Sequence, residues 1–159
     1  MIVRNANVHD VEQIKLLIDR NFDEVISKYH SPDIVVKFKE YNSINNINKQ
    51  LTWKKIYVAE DNGCIVGTGA FANFGTKETP KYCISNLYVM PELHGKGIGT
   101  LIVNVLFENA KENNAYSFCV PSTRNAMPFY MKCGFVVDKL QPDIKDEVTW
   151  MSMVLDYTL

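Results

Sequence analysis

The first fifty residues show mostly the spacing of α-helices. Residues 2–6 (IVRNA) are a short apolar start that predicts an edge strand. Apolar positions then recur at steps of three and four across residues 14–29, which is one face of a helix. Ser31 as a cap and Pro32 in the first turn predict a second, weaker helix. Residues 42–48 (NSINNIN) are rich in asparagine and predict a loop or a frayed helix end.

From residue 55 the hydrophobic period changes to two, which indicates β-strands. Residues 56–59 and 64–71 are strand-like and flank Asp61-Asn62-Gly63. That tripeptide is typical of a hairpin turn, because Asn and Gly tolerate a positive φ. Residues 82–90 predict a third strand, which ends at Pro91.

The remaining elements alternate between helix and strand. They are a firm helix to about residue 113, a strand at 116–120, a short helix at 125–132, and strands at 134–137 and 148–155. The order β-α-α-β-β-β-α-β-α-β-β predicts an α+β fold with one mixed sheet and helices on its faces. A chain of 159 residues without a linker or repeat predicts a single domain over residues 1–159.

Composition and charge exclude several classes of function. Apolar residues make up 47% of the chain, and the net charge is −1, so no basic excess supports a nucleic-acid partner. The sequence contains no run of about 18 apolar residues, so it predicts no membrane-spanning helix. Four cysteines without a CxxC pair, and no histidine at zinc-ligand spacing, predict reduced thiols, no metal site and a cytoplasmic location. The cysteines are Cys64, Cys83, Cys119 and Cys133.

The most informative segment joins the third strand to the following helix. It reads Leu87-Tyr88-Val89-Met90-Pro91-Glu92-Leu93-His94-Gly95-Lys96-Gly97-Ile98-Gly99-Thr100. Unpaired N–H groups at a helix start favour anions, and glycines let the backbone approach phosphate oxygens. Gly97 after Lys96 breaks the P-loop pattern, and Ile102 stands where a dinucleotide fingerprint requires a glycine. A glycine-rich turn without a ligand is the alternative.

Two linked motifs resemble the GNAT acetyltransferase superfamily. His94, Gly97 and Gly99 fill the places of its motif A, [Q/R]-x-x-G-x-[G/A], with His94 as a departure from the usual Arg or Gln. Residues 125–135 (NAMPFYMKCGF) resemble its second signature, N-A-x-x-F-Y-x-x-x-G-F. The resemblance covers residues 55–137 and implies a mostly antiparallel central sheet flanked by helices.

The resemblance also implies acetyl-CoA, or another acyl-CoA, as cosubstrate. The diphosphate would lie on the N–H groups of residues 94–100, and the pantetheine arm would pair with the third strand. Asn125 would contact the pantetheine or cap a helix, and Lys132 would reach a phosphate or remain solvated. The implied cofactor-binding residues are Leu87, Tyr88, Val89, His94, Gly95, Lys96, Gly97, Ile98, Gly99, Thr100, Asn125 and Lys132.

The resemblance gives Tyr130 the catalytic role of protonating the CoA sulfur, against a structural role beside Phe129. The general base is less defined. Histone-type members place a Glu on the strand before motif A, and that position falls at or near Cys83, with no acid in residues 84–86. A less basic amine, such as an α-amine, or a relay through ordered water would overcome this lack. Ser85, Tyr88 and Glu60 are candidates for such a relay, and a cysteine nucleophile is a further alternative.

The function that the resemblance implies is acetyl transfer to a primary amine by direct attack on the thioester. The acceptor would be a small molecule or a peptide, bound by the two N-terminal helices, and a homodimer is compatible with the sequence. The alternative is an acyl-CoA-binding module without catalysis. Four acids offer charge for a cationic amine but are also typical of a solvated helix face: Asp19, Asp23, Glu24 and Glu40.

Overall fold

The computed structural model describes residues 1–143 and 146–157. The strands are β1 (Ile2–Asn5), β2 (Lys55–Asp61), β3 (Cys64–Asn73), β4 (Tyr82–Val89), β5 (Ser117–Ser122), β6 (Val136–Asp143) and β7 (Val148–Val154). The helices are α1 (Val11–Glu24), α2 (Pro32–Tyr41), α3 (Ile44–Gln50), α4 (Ile98–Glu112) and α5 (Met127–Lys132). None of these helices is long and apolar enough to cross a membrane.

One sheet contains all seven strands, in the order β1-β2-β3-β4-β5-β7-β6. Every neighbouring pair is antiparallel except β4 and β5, which run parallel. The predicted mixed α+β fold with a mostly antiparallel sheet is therefore confirmed. The hairpin prediction is also confirmed, because Asn62 and Gly63 connect β2 to β3 with φ values of 51° and 79°.

The element order differs from the prediction by one helix. Residues 42–48 were expected to be a loop or a frayed end, and most of them lie in α3. The Ser43 side chain caps this helix by accepting a hydrogen bond from the N–H of Asn46 at 3.2 Å. Ile47 is fully buried against α1 and β2, so tertiary packing stabilises a short sequence of poor helix propensity.

Two hydrophobic cores lie on opposite faces of the sheet. The residues of α4 pack on one face, where Ile102 and Leu106 are fully buried. The residues of α1 pack on the other, with Ile18 and Phe22 at their centre. A Cβ atom at Gly69 of β3 would lie 2.6 Å from the side chain of Ile102. The glycine therefore lets α4 lie close to the sheet.

A disulfide bond corrects the prediction of reduced thiols. Cys83 of β4 and Cys119 of β5 are bonded, with their Cα atoms 4.5 Å apart. The sequence offered no CxxC spacing because the two cysteines are 36 residues apart and become neighbours only through the parallel pairing of their strands. Cys64 and Cys133 are free.

An ion pair connects β1 to the turn before α1 and gives a pH-dependent contribution to stability. The buried carboxylate of Asp10 accepts hydrogen bonds from both terminal nitrogens of Arg4, at 2.8 and 2.9 Å, and from the N–H of Asn7 at 2.8 Å. The Arg4 guanidinium holds the pKa of Asp10 below its usual value. Such a carboxylate stabilises the fold above its unfolded pKa, about 3.9, and loses this effect as the pH falls through the folded pKa.

We expect Asp10→Asn to lower the free energy of unfolding at pH 7 by about 1–2 kcal/mol, since Arg4 is one-third exposed and screened. The variant should also lose less stability than the wild type between pH 5 and pH 3, in urea denaturation at each pH. Glu78→Gln, on an exposed loop, is the control and should behave as the wild type. Equal pH dependence for Asp10→Asn and the wild type would show that this pair is not stabilising.

Candidate active site

The sheet opens between β4 and β5. The two strands share one residue pair, Cys83 with Cys119, among the residues described, and they diverge beyond it. A cleft of about 690 Å³ occupies the opening. Its walls include residues 84–88 of β4, Val120 and Pro121 of β5, the end of α2 and Tyr130 of α5. Part of the edge of β4 therefore faces a cavity instead of a neighbouring strand.

The backbone of β4 is irregular where it passes the cleft. The pairing of β3 with β4 shifts between Thr68, which faces Tyr88, and Ala70, which faces Ser85. Asn86 lies in this bulge with a φ of 52°, a conformation that asparagine tolerates better than most residues. Bulges of this kind redirect side chains and interrupt strand pairing. Leu87 and Tyr88, two predicted pantetheine contacts, both line the cleft.

The glycine loop forms an open cradle of N–H groups before α4. Gly95 and Gly97 have φ values of 79° and 87°, and a Cβ on either would meet no atom within 4 Å. The glycines are thus required by backbone conformation. Within the described chain, no hydrogen bond is recorded for the N–H groups of residues 95–100, and no side chain caps the helix. Unpaired N–H groups at a helix start provide an anion site.

The third glycine of the loop has a different role from the first two. A Cβ on Gly99 would lie 3.2 Å from the ring of Phe129 on α5. Gly99 therefore lets α5 pack directly against the first turn of α4. Because Phe129 precedes Tyr130, this contact connects the cradle to the predicted catalytic residue.

His94 connects the loop to the end of β4 through its side chain. Its Nε2 donates a hydrogen bond to the carbonyl oxygen of Val89 at 2.8 Å, so the ring carries a proton on Nε2. The side-chain amide of Asn21 donates to the same oxygen at 2.9 Å. Two donors satisfy both lone pairs of this carbonyl. The Val89 carbonyl is therefore not available to a ligand.

Tyr130 lies on the cleft wall with its side chain almost fully buried. Its ring contacts Phe129 and Phe135, with centroid distances of 5.3 and 5.8 Å. Burial raises the pKa of Tyr130 above its usual value, and the nearby phenol of Tyr88 adds to this effect. The residues described here give the Tyr130 hydroxyl no hydrogen-bond partner. The phenol is therefore neutral, on a residue of the cleft wall.

The other predicted binding residues differ in how exposed they are. Ile98 is buried in the core on the α4 side of the sheet, so it can offer a ligand only its N–H. Lys96, Thr100 and Lys132 are exposed and available to an anion. Asn125 precedes α5, and its side-chain oxygen is buried with no hydrogen-bond partner in the described part of the chain. A buried unpaired oxygen is costly, which indicates that a ligand group completes it.

The candidate proton acceptors from the sequence have different positions. Glu60 accepts a hydrogen bond from Arg4 at 3.1 Å and is absent from the cleft wall, so it is not a relay. Burial raises the pKa of Tyr88, which leaves its phenol neutral. Cys83 and Cys119 are bonded to each other and are therefore not nucleophiles. Ser85 lines the cleft.

The four acids of the N-terminal helices differ in whether they form ion pairs. Three of them bind basic side chains: Asp19 with Lys15, Asp23 with Lys39, and Glu24 with Arg20. Glu40 lines the cleft and is in no ion pair in the described residues. Phe22, Phe38, Tyr41 and Phe74 supply aromatic surface to the same cleft. The sequence analysis did not find this aromatic set, because its members come from distant segments.

Sequence reasoning also missed Lys54, which lies behind the cleft and donates a hydrogen bond to Ser85 at 2.9 Å. It is only 4% exposed. No motif contains this lysine, and its neighbours in sequence give no signal for burial.

The family of the chain follows from these motifs in their structural setting. A profile described as the Acetyltransferase (GNAT) family matches residues 19–135, which include the glycine loop, β4, β5 and α5. The chain belongs to the GNAT family.

Individual GNAT proteins resemble this chain at modest identity. GCN5-related N-acetyltransferase 3, chloroplastic, of Arabidopsis thaliana is 28% identical over 105 residues, which are 65% of this chain. The match spans 43% of that curated relative, less than half of its length.

Solved acetyltransferase structures show the same fold. PaiA N-acetyltransferase from Thermoplasma acidophilum, solved with coenzyme A, superposes with a TM-score of 0.83 at 16% identity, over 97% of this chain and 98% of that chain. A predicted acetyltransferase from Clostridium acetobutylicum, solved with acetyl-CoA, gives a TM-score of 0.70 at 25% identity, over 91% and 95% of the two chains.

Proposed function

We propose that this GNAT protein transfers an acetyl group from acetyl-CoA to a primary amine by direct attack of the amine on the thioester. The observation that carries the proposal is the opening between β4 and β5, which has the Tyr130 hydroxyl on its wall. The cradle of unpaired N–H groups lies beside it, in contact through Gly99 and Phe129. One site thus offers an anion cradle and a proton donor.

The cosubstrate fits the residues around the opening. Its diphosphate would accept hydrogen bonds from the N–H groups of residues 95–100, with Thr100 and Lys96 beside it. Its pantetheine arm would pair with β4 at Leu87 and Tyr88. The unpaired side-chain oxygen of Asn125 would accept a hydrogen bond from an amide N–H of that arm. The Clostridium acetobutylicum relative, at 25% identity, was solved with acetyl-CoA, which supports this choice of donor.

The chemistry needs an oxyanion donor and an acid. Attack by a neutral amine gives a tetrahedral intermediate whose oxygen carries negative charge, and the N–H of Tyr88 or Val89 would stabilise it. Collapse releases the CoA thiolate, which Tyr130 would protonate through its hydroxyl. The raised pKa of Tyr130 keeps this proton in place until the sulfur carries charge.

The acceptor would bind at the opposite side of the opening, between α2 and β4. The wall there combines aromatic rings with the carboxylate of Glu40. Such a surface suits a cationic amine, of a small molecule or a peptide, with an apolar group beside the nitrogen. We further propose that residues 1–159 form one GNAT domain and that it acts in the cytoplasm.

A non-catalytic acyl-CoA-binding module is the second candidate. One observation favours it: β4 carries no carboxylate from Cys83 to Asn86, where histone-type relatives have their base. Such a module would bind the cosubstrate without turnover.

We expect calorimetry to show one CoA bound per chain and acetyl-CoA to release free thiol with at least one amine of a panel. The panel should contain alkylamines, aromatic ethylamines, polyamines, amino acid α-amines and peptides, with thiol release followed by absorbance and acetylated product by mass spectrometry. Hydrolysis without an amine is the control. CoA binding without acetylation of any amine would favour the binding module, and absence of CoA binding would contradict both candidates.

A further inference from the structure

A buried polar cluster connects Lys54 to the cleft. The Nζ of Lys54 donates a hydrogen bond to the hydroxyl of Ser85 at 2.9 Å and to the side-chain oxygen of Gln50 at 3.4 Å. Gln50, at the end of α3, is 3% exposed, and its oxygen also accepts from the side-chain amide of Asn86. These contacts fix the lysine against the irregular part of β4.

The surroundings of Lys54 contain rings instead of a counter-ion. Its Nζ lies 4.9 Å from the ring centroid of Trp53 and 5.5 Å from those of Tyr41 and Phe74. Among the described residues no acid pairs with it. Aromatic faces attract the ammonium form, while burial favours the neutral amine. Both forms are therefore accessible, which is uncommon for a lysine.

Burial lowers the pKa of Lys54 to about 8. The titratable group in contact with it is Tyr41, whose pKa burial raises, so this phenol stays neutral below pH 10. The charged residues on the cleft wall are Lys37, Glu40, Lys81 and Asp146. With a pKa of 8, about a tenth of the lysine is neutral at pH 7 and half of it at pH 8.

Ser85 lies between this lysine and the space for the acceptor. Its hydroxyl accepts a hydrogen bond from the Nζ of Lys54 at 2.9 Å and donates one to the side-chain oxygen of Asn86 at 3.3 Å, and the residue lines the same cleft as Tyr130. A neutral Nζ accepts instead of donating, so the Ser85 hydroxyl then turns from Asn86 to Lys54. A serine hydroxyl can accept one proton and donate another at the same time. It is thus placed to pass a proton from the cleft to a group that solvent does not reach directly.

We propose that Lys54 is the proton acceptor for the amine substrate, and that it acts through the hydroxyl of Ser85. This inference rests on the proposed acetyl transfer and replaces the carboxylate that β4 lacks. Ser85 contacts the amine, and Lys54 receives the proton behind it, in the space formed by the three rings.

The protons balance as follows. The substrate ammonium gives one proton to the Ser85 oxygen while the Ser85 hydroxyl proton moves to the neutral Nζ of Lys54. The amine then attacks the thioester carbon. As the C–S bond breaks, Tyr130 gives its hydroxyl proton to the sulfur. Tyr130 regains a proton from the nitrogen, and Lys54 later loses its own to water. The products are an amide, CoA thiol and one released proton.

The test compares two substitutions at Lys54 over a range of pH. Lys54→Arg keeps a cation and a donor among the rings but does not deprotonate in this range. Lys54→Met removes both the charge and the donor. Lys55→Met, at the exposed neighbouring position on β2, is the matched control. At Ser85 the pair is Ser85→Ala, which removes the hydroxyl, and Ser85→Thr, which keeps it.

For the wild type we expect kcat to rise with pH and to level near pH 8 with an alkylamine acceptor. Lys54→Arg and Lys54→Met should both lower kcat at pH 7.5 by about tenfold to thirtyfold and lose the plateau, because a general base contributes about 10²-fold or more and only about a quarter of Lys54 is neutral at this pH. Ser85→Ala should resemble them, Ser85→Thr should keep more activity than Ser85→Ala, and Lys55→Met should resemble the wild type. CoA affinity by calorimetry should stay within twofold in every variant.

A purely electrostatic or structural lysine gives another result: Lys54→Arg would keep the kcat and the plateau of the wild type, which overturns the inference. An NMR titration of the CoA complex, which needs no turnover, would also overturn it if the Lys54 side chain showed no loss of its proton up to pH 10. If the wild type binds CoA but acetylates no amine, the proposed function fails, and the inference fails with it. Absence of acetylation by the wild type thus marks failure of the proposed function, whereas wild-type activity and plateau in Lys54→Arg mark failure of the inference alone.

Discussion

Replacing Tyr130 with phenylalanine is expected to lower kcat by about 100-fold or more, the usual effect of losing a general acid. The substitution removes one oxygen and keeps the ring, whose contacts with Phe129 and Phe135 hold α5 in place. The hydroxyl has no partner in the described chain, so its loss leaves no other group unpaired. CoA affinity should therefore stay within about twofold, since the effect falls on a proton transferred in the transition state.

The matched control for this variant is Tyr82→Phe. Tyr82 is also partly buried on β4 and stacks on Phe71 with a centroid distance of 5.2 Å, but it does not line the cleft. Its kcat should equal that of the wild type. Steady-state kinetics with the best amine, from pH 6 to pH 9, provide the measurement. Full activity of Tyr130→Phe would mean that water protonates the leaving thiolate.

The second large effect is expected at the cradle, where Gly97→Asp should weaken CoA binding by at least 100-fold. A carboxylate there repels the diphosphate and occupies the open space in front of the N–H groups. A 100-fold loss corresponds to about 2.7 kcal/mol, comparable with two hydrogen bonds to a charged group of about 1.5 kcal/mol each. Calorimetric titration with CoA, at fixed ionic strength, measures this change.

Gly63→Asp provides a close control for backbone strain. Gly63 has a φ of 79°, near the 87° of Gly97, and a Cβ on it would also meet no atom within 4 Å. Both substitutions therefore carry a similar conformational cost and should lower the melting temperature by similar amounts. Only the substitution at Gly97 should change CoA affinity. A parallel loss of affinity in both variants would show that general destabilisation, and not the cradle, is responsible.

Local sequence signals predicted most of the fold. Asn62-Gly63 determined a hairpin because its two positive φ values suit those residues, and Ser31 with Pro32 determined where α2 begins. The prediction failed at α3, whose asparagines have little helix propensity. There the burial of Ile47 against other elements decides the conformation, and such tertiary contacts leave no periodic pattern in seven residues.

The site was predictable where its residues are contiguous in sequence. The glycine loop and the segment of Tyr130 are short contiguous motifs, and their resemblance to the two GNAT signatures is what predicted their roles. The position of Lys54 beside the cleft was not predictable, because it depends on burial and on a partner, Ser85, that lies 31 residues away. The same holds for the bond between Cys83 and Cys119, which depends on strand pairing.

The divergence of β4 and β5 has a consequence for the energetics of the whole molecule. The four strands before the opening and the three after it share a single residue pair in the described chain. A pantetheine arm between them would act as an eighth, non-peptide strand that joins the two halves of the sheet. Bound CoA would then raise the free energy of unfolding by RT ln(1 + [CoA]/Kd), as mass action requires. Substrate supply and protein lifetime would become coupled quantities.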